Sequence, residues 1–282
     1  VVGALHEVGL AQRLLDGERL TPETAVDLDG QPLDAAELVT DLNLLVTRGY
    51  LTRDEGSYGL ENDVRARELF DRLGPVPPGA RATLSVVWHT AFSGGTLTAG
   101  EREVLCSLTE ELPVRPPGVG VNWVGTWEEV ALSFKMLPIL VAMKMAGRSE
   151  GLSQGDPIEQ GTLAPGEPEI ERRALRVFEA AGLLVVDGTV ARPTILGRRV
   201  FGRGPGPYGI IETYQPYMSR LVDILRDGRN AAWVSRGANV IASQTANRRT
   251  FVQCNDALDR FCQETGFTYE IFIEHALGRG EA

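Results

Sequence analysis

The chain has 282 residues, of which 43% are hydrophobic and 23% are charged. This is enough apolar material for a sizeable core and, at roughly 150 residues per domain, for about two domains. Acidic residues outnumber basic ones by 38 to 28, giving a net charge of −10. Such a field repels phosphate backbones, so nucleic acid is not expected as a main partner.

The three cysteines, Cys106, Cys254 and Cys262, form no C-x-x-C pair. An odd number without that spacing argues against a disulfide framework and favours the reducing cytoplasm as the location. No stretch reaches 18 consecutive apolar residues, and the first residues include His6 and Glu7 where a signal sequence would be apolar. We therefore expect a cytoplasmic protein without a membrane partner.

Residues 1–80 have the pattern of a winged helix. Apolar residues recur at helical spacing in 1–15 and again in 34–48. Residues 49–60 then contain two short strand-like segments around the turn sequence Asp-Glu-Gly. Because two helices followed by a hairpin are typical of that motif, we predict a winged-helix-like unit.

Residues 81–166 are predicted as a helical middle or lid region. The proline and glycine clusters LGPVPPG and LPVRPPGVG separate helical pieces over 81–92 and 99–111. A longer helix over 126–146 is apolar on most faces, which indicates a buried central helix. The glycine-rich residues 147–166 are interpreted as a linker or an excursion loop.

The pattern of the first unit returns downstream. An amphipathic helix over 169–181 is followed by a strand-like segment, the turn Asp187-Gly188 and a return strand over 189–194. The two segments match in layout, although not in identity. We predict a second winged-helix-like unit with a connecting helix over residues 167–230.

Aromatic residues near the start of the connecting helix are candidates for substrate binding. Residues 202–228 begin as a glycine and proline loop and continue as a helix, with Tyr208 and Tyr214 close to its start. These tyrosines are suited to stacking on a ligand or donating a hydroxyl, and equally to packing the helix against the second unit. Both interpretations stay open from the sequence.

A polar cluster follows in residues 234–251. Arg236 and Asn239 are candidate ligand-binding residues, because arginine binds carboxylates in a bidentate manner and asparagine fixes amides or hydroxyls. The alternative is that Ser243 or Thr245 caps a helix beginning near residue 246. That helix has an apolar stripe, which predicts a core contact, formed by Phe251, Cys254, Leu258, Phe261 and Cys262.

The last residues read as a strand, 270–275, that runs into a glycine turn. Glycines after a first strand allow close backbone approach to a nucleotide or adenosyl ligand. The alternative is that Gly278 and Gly280 belong to a flexible tail. Metal chemistry finds no support, since the histidines, His6, His89 and His275, lack ligand spacing. The predicted fold class is therefore mainly α with short β-hairpins, followed by the start of an α/β Rossmann-like domain over 231–282.

The order of winged-helix region, glycine and proline loop with GPYGIIETY, long helix and strand with a glycine turn resembles the small-molecule methyltransferases that use S-adenosylmethionine. Glu274 stands near the acidic position of that family's first motif, and Gly278 and Gly280 supply two of its three glycines. Glu281 departs from the third. The resemblance implies S-adenosylmethionine as cofactor, with Arg236 or Asn239 holding its carboxylate.

The same resemblance implies a small-molecule acceptor, bound beneath a lid whose aromatic candidates are Trp88, Trp123, Trp127 and Tyr208. It also implies a partner, either a catalytic domain beyond Ala282 or a second copy of the chain. No catalytic base is identified.

The alternative is a winged-helix transcriptional regulator that senses a ligand in the middle region. Its helix over 34–48 carries Asp34, Glu37 and Asp41 against one arginine, which is the wrong sign for phosphate contact.

Overall fold

The computed structural model describes residues 1–75, 84–203, 205–233 and 237–271. It is mainly helical with two small antiparallel sheets, which confirms the predicted mainly helical fold with short hairpins. The helices are α1 Val2–Glu7, α2 Leu10–Leu15, α3 Ala35–Thr47, α4 Val64–Leu73, α5 Leu84–Phe92, α6 Ala99–Leu108, α7 Trp127–Met145, α8 Pro168–Ala180, α9 Ile195–Phe201, α10 Pro205–Met218, α11 Leu221–Asp227 and α12 Gly237–Thr265. The strands are β1 Leu51–Asp54, β2 Ser57–Leu60, β3 Ile158–Glu159, β4 Leu184–Asp187 and β5 Val190–Pro193.

The chain groups into two compact units. The larger contains Val1–Gly202 and Pro216–Trp233, and the smaller contains Arg203–Gln215 and Val234–Ala282. The finer sequence-based division at 1–80, 81–166, 167–230 and 231–282 stays a prediction, as does a Rossmann-like start, because most of the strand over 270–275 lies outside the described residues. Among the described helices, none combines the length and apolar character that crossing a membrane requires.

The first predicted hairpin is present. The Asp34 side chain accepts hydrogen bonds from the N–H groups of Ala36 and Glu37 and so caps the start of α3. The pairing of β1 with β2 leaves Glu55 and Gly56 as the two turn residues, with φ of +47° and +83°. Two positive φ values define a type I′ turn, whose twist matches that of the flanking strands.

The second predicted hairpin is also present, with a different turn. β4 pairs with β5 around Gly188 and Thr189. Only the first of these has a positive φ, +59°, which is the pattern of a type II′ turn. The next helix packs closely on this hairpin, because a Cβ at Gly197 would lie 2.0 Å from the carbonyl oxygen of Leu183. A side chain at this position of α9 is therefore excluded.

Each hairpin gains a third strand segment that the sequence did not predict. Leu20 forms an antiparallel bridge with Tyr58 of β2. In the second sheet the order is β3-β5-β4, so β3 likewise pairs with the second strand of its hairpin. In both places a strand segment, a helix and a hairpin follow one another in the chain. The structure thus shows one supersecondary arrangement used twice.

Aromatic and aliphatic side chains fill the interior of the larger unit. Tyr58 and Phe70 are fully buried in the N-terminal part. In the second part, Phe178 of α8 and Phe201 of α9 meet edge to face with ring centroids 5.5 Å apart. The predicted central helix α7 packs against α5 and buries a continuous segment from Pro138 to Met143. Burial of this kind is the main stabilising term of the fold.

Three local predictions were wrong. The first helix is two helices, α1 and α2, separated at Gly9, whose φ of +82° does not fit a helix interior. The helix expected to continue through 202–228 is likewise divided, into α10 and α11. Of the two interpretations of residues 147–166, the linker is wrong, because Leu152 and Ile158 are buried in the core and β3 joins the second sheet.

The long helix α12 also differs from expectation. It begins at Gly237, so Ser243 lies inside the helix and does not cap it. The stripe predicted as core is largely open, since Cys254 is exposed and the Phe261 side chain is 50% exposed. Helical periodicity correctly predicted the apolar stripe, but among the described residues none of its five members is fully buried.

The type I′ turn gives a first test. Glu55 holds a left-handed conformation that asparagine adopts at lower cost, and Asn-Gly is the preferred pair in this turn. We expect Glu55→Asn to raise the free energy of unfolding in urea by about 0.5 to 1 kcal/mol. Glu55→Gln, which keeps the strain, should leave it unchanged. Equal stability of both variants would contradict this explanation.

Candidate functional site

Of the predicted cofactor-binding residues, only Asn239 lies in the described structure. It is partly buried in the first turn of α12. Arg236, Glu274, Gly278 and Gly280 lie outside the described residues. The adenosyl site therefore stays a prediction that rests on the sequence.

The predicted substrate-binding aromatics fall in different places. Tyr214 is partly buried on α10 in the smaller unit, and Tyr208 lies on the same helix with its side chain outside the described part. Trp123 is partly buried in a short 3-10 turn of the larger unit. Trp88 is only 2% exposed and lies 5.7 Å from the ring of Phe92, so it is a core residue and not a pocket wall.

Two polar side chains are buried in the described part of the smaller unit. Thr213 of α10 is 4% exposed and Gln244 of α12 is 8% exposed. The Thr213 hydroxyl has no hydrogen-bond partner among the described residues, and an unpaired buried hydroxyl is costly. Gln244 belongs to the polar cluster over 234–251, whereas the sequence signal for Thr213 is only a polar residue within the apolar pattern of α10. Thr213, Gln244 and Asn239 are the candidates, among the described residues, for contacting a ligand in this unit.

His6 and His89 have structural partners, and His275 lies outside the described residues. The Nε2 atom of His6 lies 2.6 Å from the carbonyl oxygen of Phe70, and that of His89 lies 3.1 Å from the Ser93 hydroxyl. Within the described ranges, no group of three or more histidine, cysteine, aspartate or glutamate side chains is placed to hold a metal ion.

The acidic face of α3 is covered by a segment from much later in the chain. Arg229 donates to the Glu37 carboxylate at 2.8 Å, and the Tyr217 hydroxyl donates to the same carboxylate at 3.3 Å. Arg226 pairs with Asp27 at 3.0 Å, and the Asp34 N–H donates to the Leu225 carbonyl at 2.7 Å.

We call residues 217–229, in this docked position, the clasp. Burial, together with the carboxylates of Glu37 and Asp41, raises the pKa of Tyr217. The tyrosine thus remains a neutral donor to Glu37. The clasp occupies the N-terminal half of α3, which in a DNA-binding helix would have to face the groove.

No protein-family model matches the chain, and a search of curated proteins gives no match either.

The carboxyl of Asp41, one turn beyond Glu37, gives a test of this surface. Burial raises its pKa to about 6, against the opposing charge of the Val1 amino group, and the Glu37 carboxylate adds to the rise. A carboxyl whose pKa is higher in the fold destabilises the fold increasingly as pH rises from about 4 to about 6.

We expect Asp41→Asn to raise the free energy of unfolding at pH 7 by about 2 kcal/mol, and this gain should vanish near pH 4. Asp71→Asn, at an exposed position of α4, is the control. Denaturant unfolding across this pH range measures both, and a gain that does not depend on pH would contradict the assignment.

Proposed function

We propose that this chain is the N-terminal and lid part of an S-adenosylmethionine-dependent methyltransferase that acts on a small-molecule acceptor. The observation that carries the proposal is the order of elements. Two strand–helix–hairpin arrangements precede the helices α10 and α11 and the 29-residue helix α12. The sequence after α12 then has the apolar residues, acid and glycines of an adenosyl-binding turn.

Each strand–helix–hairpin arrangement is interpreted as winged-helix-like. The additional strand segment pairs with the second hairpin strand in both, through Leu20 in the first and β3 in the second. A helix placed before such a three-stranded ribbon is the order found in winged helices. In the methyltransferases that the sequence resembles, a region of this type forms a lid or a dimerisation surface, and the α/β domain that follows carries out the chemistry.

The open stripe on α12 also supports the proposal. Within the stripe, Phe261 is half exposed and Cys254 is also exposed. Apolar residues on one face of a long helix are normally covered. An α/β domain following α12 supplies a surface for this purpose.

In this proposal Asn239, with Arg236, holds the carboxylate of the cofactor, and Gly278 and Gly280 admit it close to the backbone. Glu274 is the acidic residue of the turn. The Thr213 hydroxyl and Tyr214 contribute to the acceptor side. Transfer of the methyl group is chiefly a matter of aligning the acceptor with the sulfonium, so the lid's part is to position the acceptor and exclude water.

Calorimetric titration of the full gene product with S-adenosylhomocysteine tests the proposal. We expect saturable binding that Gly278→Val weakens about tenfold or more, because the added side chain blocks close approach to the backbone. Asp256→Asn, at an exposed position of α12, is the matched control and should bind as the unaltered protein does. No heat from a folded protein with either S-adenosylhomocysteine or S-adenosylmethionine would refute the proposal.

One observation favours the second candidate, a ligand-sensing winged-helix regulator. Residues 1–75 carry fifteen acidic and seven basic side chains, whereas residues 168–203 carry four acidic and seven basic ones. The segment 168–203 is therefore locally basic, although Arg172 and Arg173 of α8 both pair with Glu169. Specific binding to genomic DNA fragments that weakens with salt in an electrophoretic shift would favour the regulator over the enzyme.

A further inference from the structure

A groove runs along the second hairpin unit, between the outward face of α8 and the strands β4 and β5. Its volume is about 290 Å³. Four apolar residues that line it are Leu175, Val186, Val190 and Ala191. It lies wholly within the larger unit and contains none of the residues assigned to the adenosyl site.

Most charged groups at the groove already have partners. The Glu171 carboxylate is buried and accepts hydrogen bonds from the N–H groups of Leu163 and Ala164, each at 2.9 Å, and from that of Gly161. Arg172 pairs with Glu169, and the exposed Glu179 carboxylate accepts a hydrogen bond from the Val186 N–H at 3.4 Å. These groups shape the wall of the groove and are not available to a ligand without losing an existing contact.

Arg176 is the exception. It lines the groove one helical turn beyond Arg172, its side chain is exposed, and no carboxylate pairs with it in the described part of the chain. A guanidinium beside an apolar surface is suited to bidentate binding of a carboxylate whose remaining part is apolar. The other groove residues supply that apolar surface.

We propose that this groove is a binding site for a small amphiphilic carboxylate, with the carboxylate on Arg176 and the apolar part against Leu175, Val186 and Val190. The volume lies at the lower end of the range for ligand pockets, which limits the ligand to a small molecule or a single acidic side chain with its apolar neighbour. This inference does not depend on the methyltransferase proposal.

Octanoate is the probe, and titration followed by ¹⁵N–¹H NMR shifts locates its site. We expect saturable shifts confined to amides of 171–179 and 186–191, with a dissociation constant of about 1 mM or tighter. Octylamine, which has the same chain and the opposite charge, should not produce them. Shifts confined to the exposed stripe of α12, or no saturable shift, would overturn the proposal.

Two arginine variants distinguish binding in the groove from general electrostatic attraction. Arg176→Gln should weaken octanoate binding about tenfold or more, because the carboxylate loses its paired hydrogen bonds. Arg199→Gln removes another exposed arginine, on α9 and outside the groove, and should change the dissociation constant less than about twofold. If both variants weakened octanoate binding equally, the contribution of Arg176 would be only long-range electrostatic attraction, and the proposed site would be refuted.

A third comparison identifies the source of the carboxylate. An acetylated and amidated Leu-Asp-Leu peptide offers the same chemistry on a polypeptide. Octanoate should bind at least as tightly as this peptide if the ligand is a free small molecule. Binding of the peptide about tenfold tighter would replace the small molecule by a protein partner and overturn the proposal in that form.

Discussion

The ion pairs of Asp27 and Glu37 hold the N-terminal part of the molecule together. Both side chains are almost fully buried, at 2% and 7% exposure, and their arginine partners lie 199 and 192 residues later in the chain. A buried carboxylate without a partner is strongly unfavourable. Asp27 also accepts hydrogen bonds from the N–H groups of Asp29 and Gln31, so it is the Glu37 carboxylate that depends on the clasp. The larger unit accordingly includes residues 216–233.

This requirement separates the two strand–helix–hairpin arrangements, although their topology is the same. In the first, the clasp covers the N-terminal half of α3, and that helix is used for internal packing. In the second, Glu171 is satisfied by local backbone N–H groups, so α8 needs no distant partner. Its outward face, with Arg176, is left open to solvent. One supersecondary motif thus forms a structural joint in one copy and a potential binding surface in the other.

Local signals explain which parts of the fold could be predicted from the sequence. Both hairpins followed from turn residues such as Asp187-Gly188, because a tight turn is encoded within a few positions. The third strand segments could not be predicted, since a single bridge at Leu20 has no periodicity. The clasp depends on pairs about two hundred residues apart, which no local pattern contains. For the site, the polar cluster indicated Asn239, but the burial of Thr213 and Gln244 is a tertiary property.

Helix α12 shows the limit of periodicity most clearly and bears on the choice between the two functions. Its stripe reads as a core contact, yet Phe261 is half exposed in the described structure. A periodic pattern records that a face is apolar and does not record which partner covers it. The methyltransferase proposal supplies that partner as the α/β domain following the helix. The regulator proposal leaves the stripe of α12 without a partner, since the ligand-binding and DNA-binding surfaces of such a regulator would lie in the hairpin units and the middle region. The enzyme proposal therefore accounts for one feature of the fold that its rival leaves unexplained.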